Sequence, residues 1–179
     1  MSLNKQVKII LIETTNAGNI GSALRAMKTM NFTSLCLVNP KNFPSEAVET
    51  MAANAKDLIE HIHVAKNLDE ALEDINFVVG TSSRIRKVPW PNEPLHRISP
   101  RIITEINNKK NIAILFGRED RGLTNEELQR CNLHVNIPAN SDYPVLNLAM
   151  AVQVVCYQLF IDNSLNSQNI KSEYWDVPM

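Results

Sequence analysis

The sequence predicts an α/β domain of three layers, in which a mostly parallel sheet lies between two layers of helices. Two observations lead to this prediction. Short apolar runs alternate along the chain with longer stretches that have helical spacing, which is typical of parallel strands joined by helical crossovers. The short runs are also nearly continuous in Val, Ile and Leu, which indicates strands that are buried on both faces.

The elements follow in order along the chain. The first strand is predicted at Val7–Ile12, and turn-prone residues separate it from a helix over 20–30. The same apolar signal predicts strands at Ser34–Val38, Phe77–Thr81, Ile112–Phe116 and 134–137, and a weaker one at 62–64. Further helices are predicted at 45–53, 68–75, 99–106, 124–130 and 147–162.

Length and composition fit one domain in a reducing compartment. The chain has 179 residues, 44% of them hydrophobic, which is enough for a single core. Its three cysteines form no CxxC pair, so neither a disulfide framework nor a metal site is indicated. No signal pattern precedes the first strand, and no apolar run approaches the roughly 18 residues of a membrane span. We therefore expect a soluble, cytoplasmic protein without metal or membrane partner.

The charge balance limits how RNA could be bound. The net charge is -1 and the pI is near 6.4, which does not favour an extended nucleic-acid surface. Any such site must be a local basic patch. The candidates are Arg84, Arg86 and Lys87, the pair Arg118 and Arg121, and the pair Lys109 and Lys110. The alternative for each is an ordinary solvated surface.

In sheets of this kind ligands bind outside the carboxyl ends of the strands, which here means the loops after Glu13, Val79, Phe116 and Ile137. The first of these loops places Gly18, Asn19 and Gly21 at a helix start, with Arg25 further along. It could bind phosphate at the helix N-terminus, or be an ordinary strand-to-helix turn with a surface Arg. Its glycine spacing does not match the dinucleotide fingerprint, which disfavours a nucleotide-binding oxidoreductase.

Two later loops are also unusual. Residues 117–123 (GREDRGL) place four ionisable residues between two glycines at the end of a buried strand. The alternative to a functional loop is a solvated turn with mutual ion pairs. Residues 137–149 contain two prolines and lead into the last helix, where Asn147 could serve only as a helix cap.

Taken in this order, the three loops resemble the three motifs of the SPOUT RNA methyltransferases of the TrmH type. Within that class the chain is similar to the tRNA cytidine/uridine 2'-O-methyltransferases. The resemblance covers about residues 7–160. It is carried by the runs AMKTM (26–30), LVNP (37–40), GTSSR (80–84), PWP (89–91), GLTNEEL (122–128) and NLAMAVQ (147–153).

The resemblance implies a trefoil knot in the C-terminal half and S-adenosylmethionine as the cofactor. It also implies methylation of the ribose 2'-hydroxyl of a cytidine or uridine at position 32 of the tRNA anticodon loop, by a homodimer. Two alternatives stay open, namely a ribosomal RNA substrate and a non-catalytic RNA-binding relative.

The resemblance also assigns residues. The catalytic group it implies comprises Arg25 at the 2'-hydroxyl, Asn19 orienting the substrate, Glu119 and Asn147. Because the pKa of arginine lies above about 12, we expect Arg25 to clamp a phosphate and stabilise the developing oxyanion. Glu119 is expected to hydrogen bond to Arg25 or to a motif loop. The implied cofactor contacts are Thr81, Ser82, Ser83, Gly117, Ile137, Pro144, Val145 and Leu146.

The basic residues gain weight from their position. Arg84, Arg86 and Lys87 follow the implied cofactor loop and lead to Trp90, so cations and an aromatic ring could hold RNA together. Trp90 could equally be a packing or dimer residue. Arg118 and Arg121 are the other expected RNA contacts. His134 lies in a short predicted strand and is expected to be structural.

The sequence departs from the family pattern at two places. Val145 occupies a position where the family usually has Ser, which matters only if that hydroxyl contacts RNA or the catalytic Arg. The sequence also becomes polar after Asp162. We therefore predict a catalytic domain over 1–162, and over 163–179 a linker and the start of the C-terminal extension that the related enzymes carry and that helps to engage tRNA.

Overall fold

The protein is described by a computed structural model over residues 6–82 and 91–165. Within these residues the sheet has seven strands: β1 (Val7–Ile12), β2 (Ser34–Val38), β3 (His63–Ala65), β4 (Phe77–Thr81), β5 (Asn92–Pro94), β6 (Ile112–Phe116) and β7 (Leu133–Asn136). Their order is β3-β2-β1-β6-β4-β7-β5, and each of the pairs so described is parallel. The predicted fold class is therefore confirmed, with a sheet that is parallel throughout its described part.

Helices cover both faces of the sheet. They are α1 (Ala17–Thr29), α2 (Glu46–Ala52), α3 (Leu68–Ala71), α4 (Leu95–Asn107), α5 (Asn125–Gln129) and α6 (Leu148–Leu165), and a 3-10 helix occupies Ala53–His61. No helix within the described ranges is long and apolar enough to cross a membrane.

The alternation of side chains along the central strand explains the three layers. Ile9 and Leu11 of β1 join the larger apolar cluster, which includes residues of α1, α4 and α6. Ile10 and Ile12 point the other way, into a smaller cluster with residues of α3 and α5. Both faces of β1 are therefore buried, and this accounts for its uninterrupted apolar run.

The structure changes several predicted boundaries. β7 is shifted by one residue toward the N-terminus relative to the predicted 134–137. β3 is shifted by one residue toward the C-terminus relative to the predicted 62–64. The strand β5 and the 3-10 helix were not predicted. Helix α4 begins at Leu95, four residues before the predicted start at Ser99, and passes through Pro100. Helix α6 continues to Leu165, three residues past the predicted end.

The strand order gathers the loops predicted to bind a ligand. β1, β6, β4 and β7 are consecutive neighbours in a parallel sheet, so their carboxyl ends lie along one edge. The loops that follow these strands begin at residues 13, 117, 82 and 137, far apart in the chain, yet they emerge side by side. That edge is where a ligand site is expected in this class of sheet.

Candidate active site

A cavity of about 150 Å³ opens among these loops. The end of β4 and the loop 117–123 form one part of its wall, and the start of α6 and the segment before it form another. Its wall includes six of the implied cofactor contacts: Thr81, Ser82, Gly117, Ile137, Val145 and Leu146. Pro144 is not part of this wall, and Ser83 lies outside the described residues.

Some polar groups of the wall are already engaged in the fold. The Thr81 hydroxyl donates to the carbonyl of Leu115 at 2.8 Å, and the Ser82 amide donates to the carbonyl of Val135 at 2.9 Å. These bonds fix the end of β4 between its two neighbours. Apolar side chains such as Ile137, Leu146 and Leu148 supply much of the remaining wall. A cavity of this kind suits a largely apolar ligand held by a few polar groups.

The loop 117–123 is closed on itself. The Arg118 amide donates to the Gly122 carbonyl at 3.3 Å, and the Gly122 amide donates back at 2.8 Å. Gly117 lies so close to the end of the same loop that a Cβ there would overlap the backbone of Gly122 and Leu123. Gly122 has a φ of +69°, in the left-handed region that glycine adopts readily. Both glycines are therefore required by the loop's shape.

The Arg118 side chain forms ion pairs with two carboxylates outside this loop. Its side chain is only 9% exposed, with Nε 2.7 Å from the Glu13 carboxylate and Nη1 3.0 Å from the Glu127 carboxylate. The hydrogen bond to Glu13 raises the pKa of Arg118 despite partial burial, and the same bond lowers the pKa of Glu13. The expected RNA contact of Arg118 stays a prediction, and in the structure its guanidinium lies between two carboxylates at the wall of the cavity.

Glu119, the next residue, points to the loop after β1. Its carboxylate accepts hydrogen bonds from the backbone amides of Thr15 and Asn16, each at 3.2 Å, from the Thr15 hydroxyl at 3.2 Å and from Asn19 Nδ2 at 3.1 Å. Partial burial opposes ionisation, but these donors outweigh it and hold the pKa of Glu119 below its usual value. Of its two expected partners, Glu119 therefore contacts the motif loop.

Asn19 joins three loops. Its side chain is buried, and while Nδ2 donates to Glu119, Oδ1 accepts from Asn147 Nδ2 at 3.0 Å. Asn147 Oδ1 in turn accepts from the Ala149 amide at 2.9 Å, so Asn147 is a helix cap and a site residue at once. The three residues form one hydrogen-bonded chain, Glu119–Asn19–Asn147. Three of the four residues assigned to catalysis are thereby brought together.

Arg25, the fourth, stands apart from this chain. It is exposed on α1, and its guanidinium makes no hydrogen bond or ion pair with residues 6–82 or 91–165. It is also absent from the wall of the cavity. Its side chain is therefore available to a phosphate or a ribose, and its catalytic role stays a prediction.

The start of α1 is organised by the protein itself. The Asn16 side chain caps the helix by accepting a hydrogen bond from the Gly18 amide at 2.9 Å. The backbone amides of Thr15 and Asn16 donate to the Glu119 carboxylate and are therefore already engaged. A Cβ at Gly21 would overlap the backbone of α2, so this glycine permits two helices to pack closely. Both features favour the strand-to-helix turn over a phosphate-binding turn.

The other basic candidates differ in accessibility. Arg121 is 62% exposed and lies 3.8 Å from Glu13, so its charge reaches the rim of the cavity. Arg84, Arg86, Lys87 and Trp90 lie outside the described residues. Lys41 was not singled out from the sequence, yet its amide donates to the Thr14 carbonyl at 3.1 Å and its charge helps to lower the pKa of Glu13. Glu13 was also missed, because from sequence alone it is only the last residue before a turn.

The remaining titratable candidates are structural. His134 is buried, with Nε2 2.9 Å from the Leu128 carbonyl, which agrees with its expected role. Burial raises the pKa of the Cys36 thiol to about 11 and that of Cys131 to about 12, so these thiols are protonated at neutral pH. In the described part of the chain no cluster of His, Cys, Asp and Glu could hold a metal ion.

Comparison with known proteins places these loops in a wider context. The profile of the family described as SpoU rRNA Methylase matches residues 6–157. The tRNA (cytidine/uridine-2'-O-)-methyltransferase TrmJ of Escherichia coli strain K12 is 43% identical over 178 residues, which are 98% of this chain and 72% of that protein.

Two solved structures agree in fold. A probable methylase family protein from Haemophilus influenzae Rd KW20 superimposes with a TM-score of 0.86 and 43% identity, over 97% of this chain and 73% of that one. TrmJ from Z. mobilis ZM4 gives a TM-score of 0.80 at 27% identity, over 92% and 72% of the two chains.

Proposed function

Because the chain belongs to the SpoU rRNA methylase family, we propose that it transfers a methyl group from S-adenosylmethionine to the ribose 2'-hydroxyl of a cytidine or uridine in tRNA. The observation that carries the proposal is the 43% identity to the Escherichia coli tRNA enzyme, which extends over 98% of this chain. That span includes all of the loops at the carboxyl edge of the sheet. The finer parts of the proposal are position 32 of the anticodon loop and a cytoplasmic location.

The cavity fits the methyl donor in chemical character. Ile137, Leu146 and Leu148 offer an apolar wall for adenine, while the closely approaching backbone at Gly117 offers polar groups without side-chain obstruction. Thr81, Ser82 and Val145 complete the residues that would hold it, together with Ser83 and Pro144 from the family assignment. When bound, S-adenosylmethionine supplies a methyl group whose carbon leaves the sulfonium sulfur as it joins the ribose O2'.

The protein's own residues would align the acceptor and stabilise charge. The guanidinium of Arg25 would act by clamping a neighbouring phosphate and by stabilising the negative charge that develops on O2' as the hydroxyl proton leaves to solvent. The chain Glu119–Asn19–Asn147 holds the loops after β1, β6 and β7 in one arrangement. We assign Asn19 a positioning role, since both polar atoms of its side chain are engaged.

A trefoil knot over the C-terminal segment is a further part of the proposal. It is supported by the family and by the way the loops 117–123 and 137–147 enclose one cavity before α6 packs on α1 and α4. A knot would tie the cofactor loops together more firmly than separate strand ends could.

A homodimer is proposed on the character of α6. One side of this helix is buried in the core, at Val152, Val155, Cys156 and Leu159. The other side leaves Met150, Tyr157 and Phe160 exposed at 59%, 52% and 36%. A helix that is apolar on both sides is typically covered on both, which fits a second copy of the chain.

Methylation of unmodified tRNA transcripts tests the activity directly. The protein, with tritiated S-adenosylmethionine, should label tRNA that has a pyrimidine at position 32, and a 2'-deoxy substitution at that nucleotide should abolish labelling. Labelling of ribosomal RNA fragments instead of tRNA would move the substrate to the alternative class.

The non-catalytic alternative rests on Val145, which lines the cavity and is 54% exposed. Cofactor binding measured by calorimetry, with no methyl incorporation into either RNA, would favour that alternative. A Val145→Ser protein that gained incorporation would then identify the missing hydroxyl as the cause. We expect the protein with Val145 to be active, because the resemblance implies that the cofactor contacts there are made largely through backbone groups.

A further inference from the structure

Two adjacent residues of the loop 117–123 contact different residues of the loop after β1. Arg118 reaches back under the loop to Glu13, and Glu119 reaches forward to the amides of Thr15 and Asn16. The loops after β1 and β6 therefore hold each other by two reciprocal contacts. Glu119 belongs to the assigned catalytic group, whereas nothing in the proposed reaction accounts for Glu13.

Glu13 is held in an unusual conformation at this point. It is the first residue after β1, and its φ of +49° lies in the left-handed region that a non-glycine residue seldom adopts. Its amide donates to the Val38 carbonyl at 2.8 Å, which anchors the residue to β2. The strained backbone persists because the surrounding contacts fix it, and it places the carboxylate 2.7 Å from Arg118 Nε.

The far side of Arg118 is fixed as well. The Glu127 carboxylate lies 3.0 Å from Nη1 and also accepts from the Thr124 amide at 2.7 Å, as part of the capping box of α5. The Arg118 guanidinium thus forms ion pairs with a residue at the end of β1 and with a residue in the first turn of α5. Removal of Glu13 would leave the Arg118 Nε–H without its carboxylate acceptor, although Glu127 would still balance the charge.

We infer that Glu13 is a positioning residue for the cofactor pocket, acting through Arg118 to hold the loop 117–123 in its binding conformation. The inference rests on the proposed function, because it takes the cavity to be the S-adenosylmethionine site. Gly117 to Leu123 all line that cavity, so a shift of the loop changes the shape of the wall. Glu13 itself is not part of the wall.

The test compares Glu13→Gln and Glu13→Asp with the parent protein in calorimetric titrations with S-adenosylmethionine and in steady-state methylation of tRNA. Loss of one charge-assisted bond should raise the Kd and the cofactor KM about tenfold in Glu13→Gln, with kcat changed less. Glu13→Asp keeps the charge on a shorter side chain and should fall between the parent and Glu13→Gln. A Glu13→Gln, Arg118→Gln protein should bind no more weakly than Arg118→Gln alone.

Two controls separate positioning from loss of charge or stability. Glu126→Gln removes an exposed carboxylate one residue from Glu127 and should bind the cofactor as the parent does. Asn67→Ala removes the α3 cap, away from the residues that hold Arg118, and should lower the Tm without changing the cofactor Kd. The inference is overturned if both Glu13 variants bind like the parent, or if Asn67→Ala weakens binding as much as Glu13→Gln does. If the parent itself does not bind S-adenosylmethionine, the proposed function fails and the inference fails with it.

Discussion

At the scale of single residues, the orientation of Asn19 determines what its neighbours can be. Its Nδ2 faces a carboxylate that only accepts hydrogen bonds, and its Oδ1 faces the donating amide nitrogen of Asn147. Asn147→Asp keeps the oxygen that caps α6 but replaces the donor with a second acceptor. Turning the Asn19 amide over cannot repair this, because its Oδ1 would then face Glu119. We expect kcat/KM to fall roughly tenfold or more, with little change in Tm.

A double variant distinguishes this explanation from simple damage. In Asn147→Asp, Glu119→Gln the Gln amide can donate to a reversed Asn19, whose Nδ2 then faces the new carboxylate. Part of the lost activity should return relative to Asn147→Asp alone, as measured by initial rates on tRNA. Additive losses in the two single variants would contradict the proposed hydrogen-bonded chain.

Glu119 also predicts a pH dependence. Its pKa is lower in the folded protein than in the unfolded chain, so its contribution to stability is complete above the unfolded value of about 4.3 and is lost as the pH falls through the folded value. Glu119→Gln should therefore be less stable than the parent at pH 7, and the difference should shrink in acid.

Urea unfolding between pH 3 and pH 7 measures this effect. Glu126→Gln is the matched control, because it removes an exposed carboxylate and should keep the parent's slope of stability against pH. If Glu119→Gln lost stability in acid as steeply as the parent, Glu119 would not be the carboxylate responsible.

The candidate site shows how far residue patterns extend. Asn19, Glu119 and Asn147 could be identified from their loops and the family resemblance, and they do meet in space. The contacts themselves could not be predicted, because the residues next to Glu119 in the sequence do not indicate that it accepts hydrogen bonds from backbone amides 104 residues away. Arg118 illustrates the same limit. In sequence it looks like one member of a solvated charge cluster, and its contacts with Glu13 and Glu127 are seen only in the fold.

At the scale of elements, the loop 117–123 depends on two glycines for different reasons. Gly117 has no room for a Cβ, whereas Gly122 has open space but a left-handed φ. Gly117→Ala must move the returning backbone and should cost about 3 kcal/mol or more of the free energy of unfolding. Gly122→Ala should cost about 1 kcal/mol, the ordinary penalty of that conformation.

Chemical denaturation and cofactor calorimetry on both proteins test this ranking. Gly117→Ala should also lose measurable S-adenosylmethionine binding, because the loop lines the cavity, and Gly122→Ala should retain it. Equal effects of the two substitutions would mean that the loop can open without penalty.

Strands could be predicted wherever burial dictated composition. Four strands keep the bounds of their apolar runs, since both faces of the central sheet require them. β5 was missed because Asn92–Pro94 carries no such run and is a strand only by pairing with β7 at the sheet's edge. Helix α4 begins four residues before its predicted start at Ser99, and this first turn packs through the buried side chain of Leu95.

At the scale of the whole molecule, topology creates the site. Asn147 and Asn19 are 128 residues apart and meet because β1, β6, β4 and β7 are neighbours in a parallel sheet. The alternation of elements predicts a parallel sheet but not the order of its strands. The fold class predicted that the loops lie at one edge of the sheet, and the family resemblance adds that they act together. That joint action and the division of the chain at residue 162 stay predictions.

The second face of α6 leads to a prediction about assembly. Met150, Tyr157 and Phe160 are spaced by seven and three residues, so they share one side of the helix, opposite the core. In a dimer packed through this side, Tyr157→Glu would bury a charge without a partner and should shift the protein to monomers. Sedimentation velocity at micromolar concentration measures the shift.

Val64→Glu is the matched control, because Val64 is comparably exposed, at 46%, on the edge strand β3, which contacts β2 and α3. It should leave the dimer intact. The cavity is lined by residues of one chain, so the monomeric Tyr157→Glu protein should bind S-adenosylmethionine like the parent. It should lose most tRNA methylation, because Arg25 lies outside the cavity and tRNA is expected to contact both subunits. A monomeric parent, or a Tyr157→Glu protein that stays dimeric, would exclude this face as the interface.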